Sequence, residues 1–407
     1  MDFSLQADTP EIAQFRREVR DWLDENMKEG EHIRLTGIWS SIDDEEEYRF
    51  RRGLAEKLGA KGWLFPTYAK EYGGAGLSSE HRNVLETEID RRGLPLGNVF
   101  YTRAELVVPA VLMFGTEEQK KEFLPPMMRG EVAVWQLLTE PQGGSDIATC
   151  RTKALREGGE AGEGSDYIVN GQKIMVGHHT TADWMWVLVN TNPEGKRHEN
   201  LAWIYIPANL PGISTTHLNL SMGVKNAVYF DNVRVPAKYL VGGENNGWKV
   251  AGAYLVLEQG GGGSLAESAL LAHVIERCEK VQPDGTRLID DPDVRDELAD
   301  MIMDVDTERL CGLRNFWHAM VKEQHPYGGL QYFYLMRMVR LRNSERLQKM
   351  FGYEALVPVQ EKHELADFEY NVRYGPGMMH GGGTLHTDRV IIARRLGLGR
   401  NLGTRSA

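Results

Sequence analysis

The chain has 407 residues, which at about 150 residues per domain is length for two or three domains. Hydrophobic residues make up 42% and charged residues 26%, ordinary globular usage that excludes a disordered, collagen-like or coiled-coil chain. The net charge of −11 disfavours general nucleic-acid binding, because phosphates have to be neutralised by Lys and Arg. The start, MDFSLQADTPEIAQFRREVRDW, lacks a basic patch followed by an apolar stretch, so no secretory signal is expected. No run of 18 apolar residues is present to span a membrane. Three distant cysteines, Cys150, Cys278 and Cys311, do not make a disulfide framework. These features lead to the expectation of a cytoplasmic protein.

In chain order, residues 10 to about 130 carry helical periodicity. Thr9-Pro10 opens the first helix as N-cap and first-turn proline. Ile12, Phe15, Val19 and Trp22 follow at spacings of three and four and form one buried stripe. Pro66 to Gly76 is too glycine-rich for a helix and reads as a loop. Thr116 caps a further helix that Pro125 and Pro126 are expected to stop. From about 131 to 240 the pattern turns to short β-branched and aromatic runs: AVWQLLTE, DYIVNGQKIMV, DWMWVLVNT, LAWIYIPA and NAVYFDNVRVP. Glu157 to Ser165 holds one apolar residue, Ala161, and reads as a hairpin tip. Helical periodicity returns after Asn246-Gly247-Trp248 and lasts to about 395. Helix, β, helix without alternation excludes a Rossmann fold, and no tandem repeat points to a solenoid.

The stretch most able to carry chemistry is LTEPQGGSD, from Leu138 to Asp146. It ends a strand in small residues that let backbone N–H groups approach a ligand closely, and such groups suit phosphate or flavin oxygens. Composition alone favours a plain glycine-rich turn. LTEPQGGSD also resembles the signature of the acyl-CoA dehydrogenase family. KEYGGAG near 70, FGTEEQKKEFLP at 114–125, NGQK at 170–173, the Ala182-Asp183 pair, FDNVRVP at 230–236, ENNGW at 244–248 and GGGT at 381–384 follow in family order. DGTRLIDDPDVRDEL and the GGGT to GLGR ending are similar to bacterial members that shorten steroid or other bulky acyl-CoA side chains.

The resemblance implies an α+β multidomain fold: an N-terminal helical domain (1–130), a middle β domain (131–240) and a C-terminal four-helix bundle (241–407). It implies FAD-dependent oxidation of a bulky or branched acyl-CoA to its 2-enoyl-CoA, a carboxylate taking the α-proton while hydride passes to flavin N5. An electron-transfer flavoprotein would then receive the electrons. A Glu base fits because burial beside flavin and thioester raises its pKa toward operating pH, and the thioester oxygen needs hydrogen bonds as enolate character grows. Leu138, Thr139, Gly144, Ser145, Met175, Gly177, Gly383, Thr384 and His386 fall at cofactor positions of the family, and Ser145, Gly262 and Gly382 at substrate positions.

The sequence departs from the family in several places. Many members carry the base in Glu-Gly-Thr, which here is Gly382-Gly383-Thr384. The alternative family position falls on Glu258, in Leu257-Glu258-Gln259, and Glu258 is taken as the base over a solvent-facing helix glutamate. Gly260 to Gly263 follow it; each glycine inside a helix costs about 1 kcal/mol relative to Ala, so they mark either a kink or a widened acyl cavity. Met175 and Gly177 stand where the family has Trp and Thr or Ser. Val281-Gln-Pro-Asp-Gly285 replaces Arg-x-x-Phe-Gly, which reaches the partner subunit's FAD and would add a charge-assisted contact. Lys349-Met-Phe-Gly352 replaces a Gln before its Phe-Gly pair. Similar losses occur in steroid-type relatives built from two different subunits. A homo-oligomer, a heteromer with a related chain, a non-catalytic partner subunit and an acyl-CoA oxidase therefore all remain open.

Other candidates are weaker. His178 and His179, adjacent in a strand, point to opposite faces and do not chelate one metal. His380 and His386 flank the glycine triplet and read as partly buried polar residues. Tyr332 to Arg346 mixes aromatics with Arg337, Arg340, Arg342 and Arg346; helical spacing favours core and subunit packing over RNA binding. Cys150, close to the 138–146 stretch, is expected to be inert for want of a His or basic residue beside its thiol.

Overall fold

A computed structural model describes residues 8–36, 44–94, 101–157, 165–177, 181–221, 223–252, 268–321, 325–358 and 367–398. Five helices come first: α1 (Pro10–Asn26), α2 (Glu45–Ala60), α3 (Ser79–Asp90), α4 (Tyr101–Phe114) and α5 (Glu117–Met128). The Thr9 hydroxyl accepts the Ile12 N–H at 3.3 Å, as the Thr-Pro start predicts. Ile12 and Val19 are buried with Leu23, while Phe15 and Trp22 pack half-buried against the same core. The 66–76 stretch is a loop with one short 3-10 turn, Lys70–Tyr72.

Thr116 and Gln119 cap α5 reciprocally. Pro125 and Pro126 do not stop it, however. Both lie inside the helix, which runs on to Met128. A proline deprives the carbonyl four residues earlier of its donor. Those carbonyls belong to Lys121 and Glu122, both exposed residues, where water can take the place of the missing donor. Burial of Phe123, Leu124, Met127 and Met128 holds the remainder in place.

The middle of the chain forms one sheet from β1 (Val134–Leu137), β2 (Lys153–Arg156), β3 (Tyr167–Val176), β4 (Trp184–Asn190), β5 (Leu201–Pro207), β6 (Ile213–Leu220), β7 (Gly223–Val235) and β8 (Leu240–Val241). The order is β6-β7-β3-β2-β4-β5-β8, with β1 parallel to β4. All five strands read from the sequence are present. Three more, β2, β6 and β8, are short or, for β6, mostly exposed, so they lack an apolar run. β2 and β3 pair antiparallel as far as Arg156 and Tyr167, and the tip at 158–164 lies outside the described residues.

Side chains alternate across β4 and β5. Trp186, Leu188, Leu201, Trp203 and Tyr205 join the core of the N-terminal helices, while Val187, Val189, Ala202, Ile204 and Ile206 join a second core with β3 and β7. Arg52 Nη2 lies 3.2 Å from Asp183, whose Oδ2 also accepts the Ala133 N–H at 2.7 Å. The Ala182-Asp183 pair is thus a joint between α2 and the sheet.

A helix begins at 247 and runs to 252, the last described residue before 268. The C-terminal helices Ala269–Glu279, Pro292–Met320, Gly328–Phe351, Phe368–Gly377 and Leu385–Arg395 follow. The first three and Phe368 share a core of their own around Val274, Met301 and Leu347. Arg34 pairs with Asp367 at 3.0 Å, and Arg373 donates to the Ser221 carbonyl at 2.7 Å; these bonds tie the helices to the rest. No helix among the described residues is long and apolar enough to cross a membrane.

Candidate functional site

The 138–146 stretch leaves β1 and closes at once into a turn. The Gly143 N–H donates to the Glu140 carbonyl at 2.9 Å and the Glu140 N–H returns to the Gly143 carbonyl at 3.2 Å, with Pro141 at the position whose φ it presets. The anchor is Glu140, 3% exposed. Its carboxylate accepts from Lys173 Nζ at 2.8 Å, the Thr152 hydroxyl at 2.6 Å, the Thr152 and Arg151 N–H groups at 2.9 and 2.7 Å, and Gln142 at 2.5 Å. Burial works against its charge, but the Lys173 ammonium and these hydrogen bonds outweigh burial and pull the carboxyl down to about 2. Lys173, itself fully buried, also donates to the Leu138 carbonyl at 3.2 Å, and the Ile174 N–H reaches the Thr139 carbonyl at 2.9 Å. Each residue of Leu138-Thr139-Glu140 is therefore tied to β3 or β2.

The same charge cluster holds Cys150. Lys173 Nζ lies 3.4 Å from its sulfur and Glu140 Oε1 3.3 Å. A basic neighbour is present after all, contrary to the sequence reading, because Lys173 is brought in from β3, 23 residues away in the chain. The thiol is still unreactive, because burial pushes it up to about 11 in spite of Lys173.

Beyond Lys173, β3 bulges between Lys173 and Val176 against β7. Met175 takes a left-handed backbone (φ 58) and turns outward, 52% exposed. Gly177 follows at φ 66, and a Cβ there would lie 2.5 Å from Trp135 Nε1. The absence of the family's Thr at 177 thus has a partner in Trp135 on β1, which occupies that space.

The glycine triplet near the C-terminus is built around an arginine. Arg337, fully buried, donates to the Gly383 carbonyl and to Asp388 Oδ2 at 2.7 and 2.8 Å, and also to the Gly381 carbonyl. Its guanidinium sits 4.0 Å from the Phe333 ring centre. Gly382 and Gly383 have φ of 71 and 105, and a Cβ on Gly382 would meet the Phe333 ring at 3.0 Å and Arg337 Nη2 at 3.3 Å. Thr384 caps the following helix, accepting the Thr387 N–H at 3.3 Å. His380 and His386 are exposed here rather than partly buried, since one sits in the loop and the other in the first turn of a half-exposed helix.

Among the described residues, no hydrogen bond or ion pair joins the 139–145 loop to the 381–384 loop. Both have the features an oxygen-rich, phosphate-bearing group needs. Among the described residues, the N–H groups of Gly144 and Ser145 have no partner, and neither do those of Gly382, Thr384 and Leu385 beside a helix N-terminus. On that donor set, the residues fit the FAD that the resemblance implies.

The 281–287 segment has the opposite character. Val281, 64% exposed, bridges to Arg287, and Asp284 accepts the Thr286 N–H and hydroxyl at 3.0 and 2.7 Å. An acidic turn stands where the family has a cation. Lys349 pairs with Glu297 at 2.7 Å, and Met350 and Phe351 are core residues. The arginines of 337–346 are engaged internally: Arg342 and Arg346 with Asp304, Arg340 with Glu308, Arg337 with Asp388. This matches the packing role read for that stretch. Glu258, Gly260 to Gly263 (Gly262 among them), His178 and His179 lie outside the described residues. Among those described, no group of three or more His, Cys, Asp or Glu is placed to hold a metal ion.

Glu140, Lys173, Thr152, Trp135, Arg337 and Asp388 were not singled out for these roles from the sequence. Lys173 was within reach: in YIVNGQK it shares parity with inward-facing Tyr167 and Val169, and an ammonium on a buried face needs a buried carboxylate.

The chain matches two family models, the acyl-CoA dehydrogenase N-terminal domain over residues 9–131 and the acyl-CoA dehydrogenase middle domain over residues 136–233. Acyl-CoA dehydrogenase IpdE1 of Mycobacterium tuberculosis is 31% identical over 294 residues, 71% of this chain and 73% of that protein. In the crystal structure of the ChsE4-ChsE5 complex from Mycobacterium tuberculosis, the matching chain superposes with a TM-score of 0.79 at 27% identity, covering 98% of this chain and 100% of that one. The Tcur3481-Tcur3483 steroid ACAD gives the same TM-score, identity and coverage.

Proposed function

Because the chain belongs to the acyl-CoA dehydrogenase family, we propose that it oxidises the α,β bond of a bulky, steroid-type acyl-CoA thioester within an assembly of two related chains. The steroid and two-chain parts of this reading draw on the steroid ACAD and the ChsE4-ChsE5 complex it is similar to. The observation that carries it is the fully satisfied Glu140–Lys173 anchor behind a Gly-Gly-Ser loop, kept while the 281–285 contribution to a neighbour's site is gone. The proposed domain limits are 1–130, 131–240 and 241–407.

FAD, when bound, supplies the hydride acceptor. Leu138, Thr139, Gly144 and Ser145 would hold it from the sheet side, with Met175 and Gly177 beside them and Gly383, Thr384 and His386 from the helical side. Ser145, Gly262 and Gly382 would line the thioester and acyl path. Glu258 would take the α-proton, since Gly382 carries no carboxylate. Unpartnered N–H groups at 144 and 145 are of the kind that stabilises developing negative charge on an oxygen. An electron-transfer flavoprotein is the proposed acceptor.

The test is the visible spectrum of the purified protein, followed anaerobically on adding a panel of acyl-CoAs. Flavin bands that bleach with bulky acyl-CoAs, and fail to in Glu258→Gln, support the reading. A protein that stays colourless with added FAD favours a second one, a non-catalytic partner subunit, for which the base-free 382 position speaks. Peroxide release on substrate addition would make it an acyl-CoA oxidase instead.

A further inference from the structure

In the 381–384 loop a buried guanidinium takes two backbone carbonyls of one short turn, those of Gly381 and Gly383. A trans peptide holds its C=O and N–H on opposite sides. Carbonyls 381 and 383 face Arg337, so the N–H groups of Gly382 and Thr384 face away from it. Neither has a partner among the described residues, and the uncapped N–H groups of the first turn of Leu385–Arg395 follow directly. Asp388 Oδ2 holds Arg337 at 2.8 Å. Its Oδ1, buried and without a partner among the described residues, lies 3.5 Å from where a Cβ on Gly383 would stand.

Resting on the function proposed above, we propose that Arg337 is a positioning residue of the cofactor cradle: by pinning carbonyls 381 and 383 inward, it turns the loop's N–H groups outward as a nest for a diphosphate. Successive backbone N–H groups in such a turn form an anion-binding concavity. The same guanidinium closes position 382 to a base. A glutamate there would start 3.3 Å from Arg337 Nη2 and form an ion pair instead of meeting a substrate carbon. The loop that carries the carboxylate in many relatives is thus committed to binding in this chain.

The test uses the protein with whatever chain co-purifies, and reads FAD affinity by flavin fluorescence, ADP competition and the melting temperature together. Arg337→Met/Asp388→Leu removes both charges, so that neither is left buried alone, an exchange often neutral for stability. The expected result is an unchanged melting temperature with FAD and ADP affinities down about tenfold, the scale of one or two charge-assisted hydrogen bonds. A folded double variant with wild-type affinity for both overturns the proposal. Should that variant lose its melting transition, Arg337→Lys carries the test, because it keeps the charge beside Asp388 but spans only one carbonyl: weakened FAD and ADP binding supports the role, and unchanged binding overturns it. A wild-type assembly that takes up no FAD overturns the function proposed above and the cradle with it, whereas wild-type binding with unaltered variants overturns Arg337 alone.

Discussion

The 138–146 loop and the 281–287 turn are made of similar material, short polar stretches with Gly, Pro and Asp. In the first, a carboxylate and an ammonium are buried together, and both carboxylate oxygens of Glu140 are occupied by donors from Arg151 and Thr152 just before β2, from β3 or from the loop itself. In the second, Asp284 satisfies its oxygen locally on Thr286, and the segment faces water. The first is held by residues about 10 and 33 positions away and cannot drift without cost to the sheet. The second is closed within three residues and is free to change. On the function proposed above, a chain that keeps the one and lacks the other would hold a site of its own but offer little to a neighbour's.

The strongest way to break this contrast is Lys173→Met, which leaves Glu140 buried beside no cation. Removing one member of a buried pair costs ~3–5 kcal/mol, which urea unfolding would show, with flavin release to match. A smaller loss would mean that Glu140 is held by its hydrogen bonds alone. Next is the acid limb. Glu140 sits at about 2 against an ordinary 4.5, so its contribution is present in full above about 4.5 and is lost as pH falls through about 2. It amounts to ~3 kcal/mol. The stability gap between wild type and Glu140→Gln should close over that window; a gap independent of pH would contradict the pairing.

Gly177→Thr, which restores the family residue, meets both a left-handed backbone and the Trp135 ring. A cost of ~2 kcal/mol is expected, partly relieved in Trp135→Ala/Gly177→Thr. The smallest effect on stability belongs to Val281→Arg/Asp284→Phe, within ~0.5 kcal/mol per site for so exposed a segment. Its readout is the flavin content per chain, which should rise if 281–285 is what the chain no longer gives its neighbour. Unchanged flavin content would place the loss elsewhere.

Much of this was legible in the sequence. The Thr9 and Thr116 caps, the α1 stripe and five strands follow from local pattern, as do the Gly-Gly-Ser turn and the packing of 337–346. What escaped depends on distance. Glu140 and Lys173 meet across 33 residues, and Trp135 fills the space at Gly177 from another strand. Arg337 lies seven residues from both Leu330 and Ser344, all buried on one helix stripe, yet its meaning rests on a loop 44 residues on. Pro125 and Pro126 misled because a proline's local cost is decided by whether the orphaned carbonyls reach water.

The sheet's outer face offers a last consequence. Trp186, Trp203 and Tyr205 complete the interior of helices more than 50 residues earlier, whereas the C-terminal helices close on themselves. Gene recombination at the helix-to-strand change near residue 131 would strand two tryptophans against a foreign surface. An exchange past Ala251 would leave that interior whole, since Val250 and Ala251 belong to it and the Gly247 carbonyl takes the Trp203 indole N–H; it would cut peripheral bonds such as Arg34–Asp367 and Arg373–Ser221. Lineages that swap parts of this fold should therefore carry their breakpoints there, inheriting the first two segments together and acquiring new C-terminal helices whole.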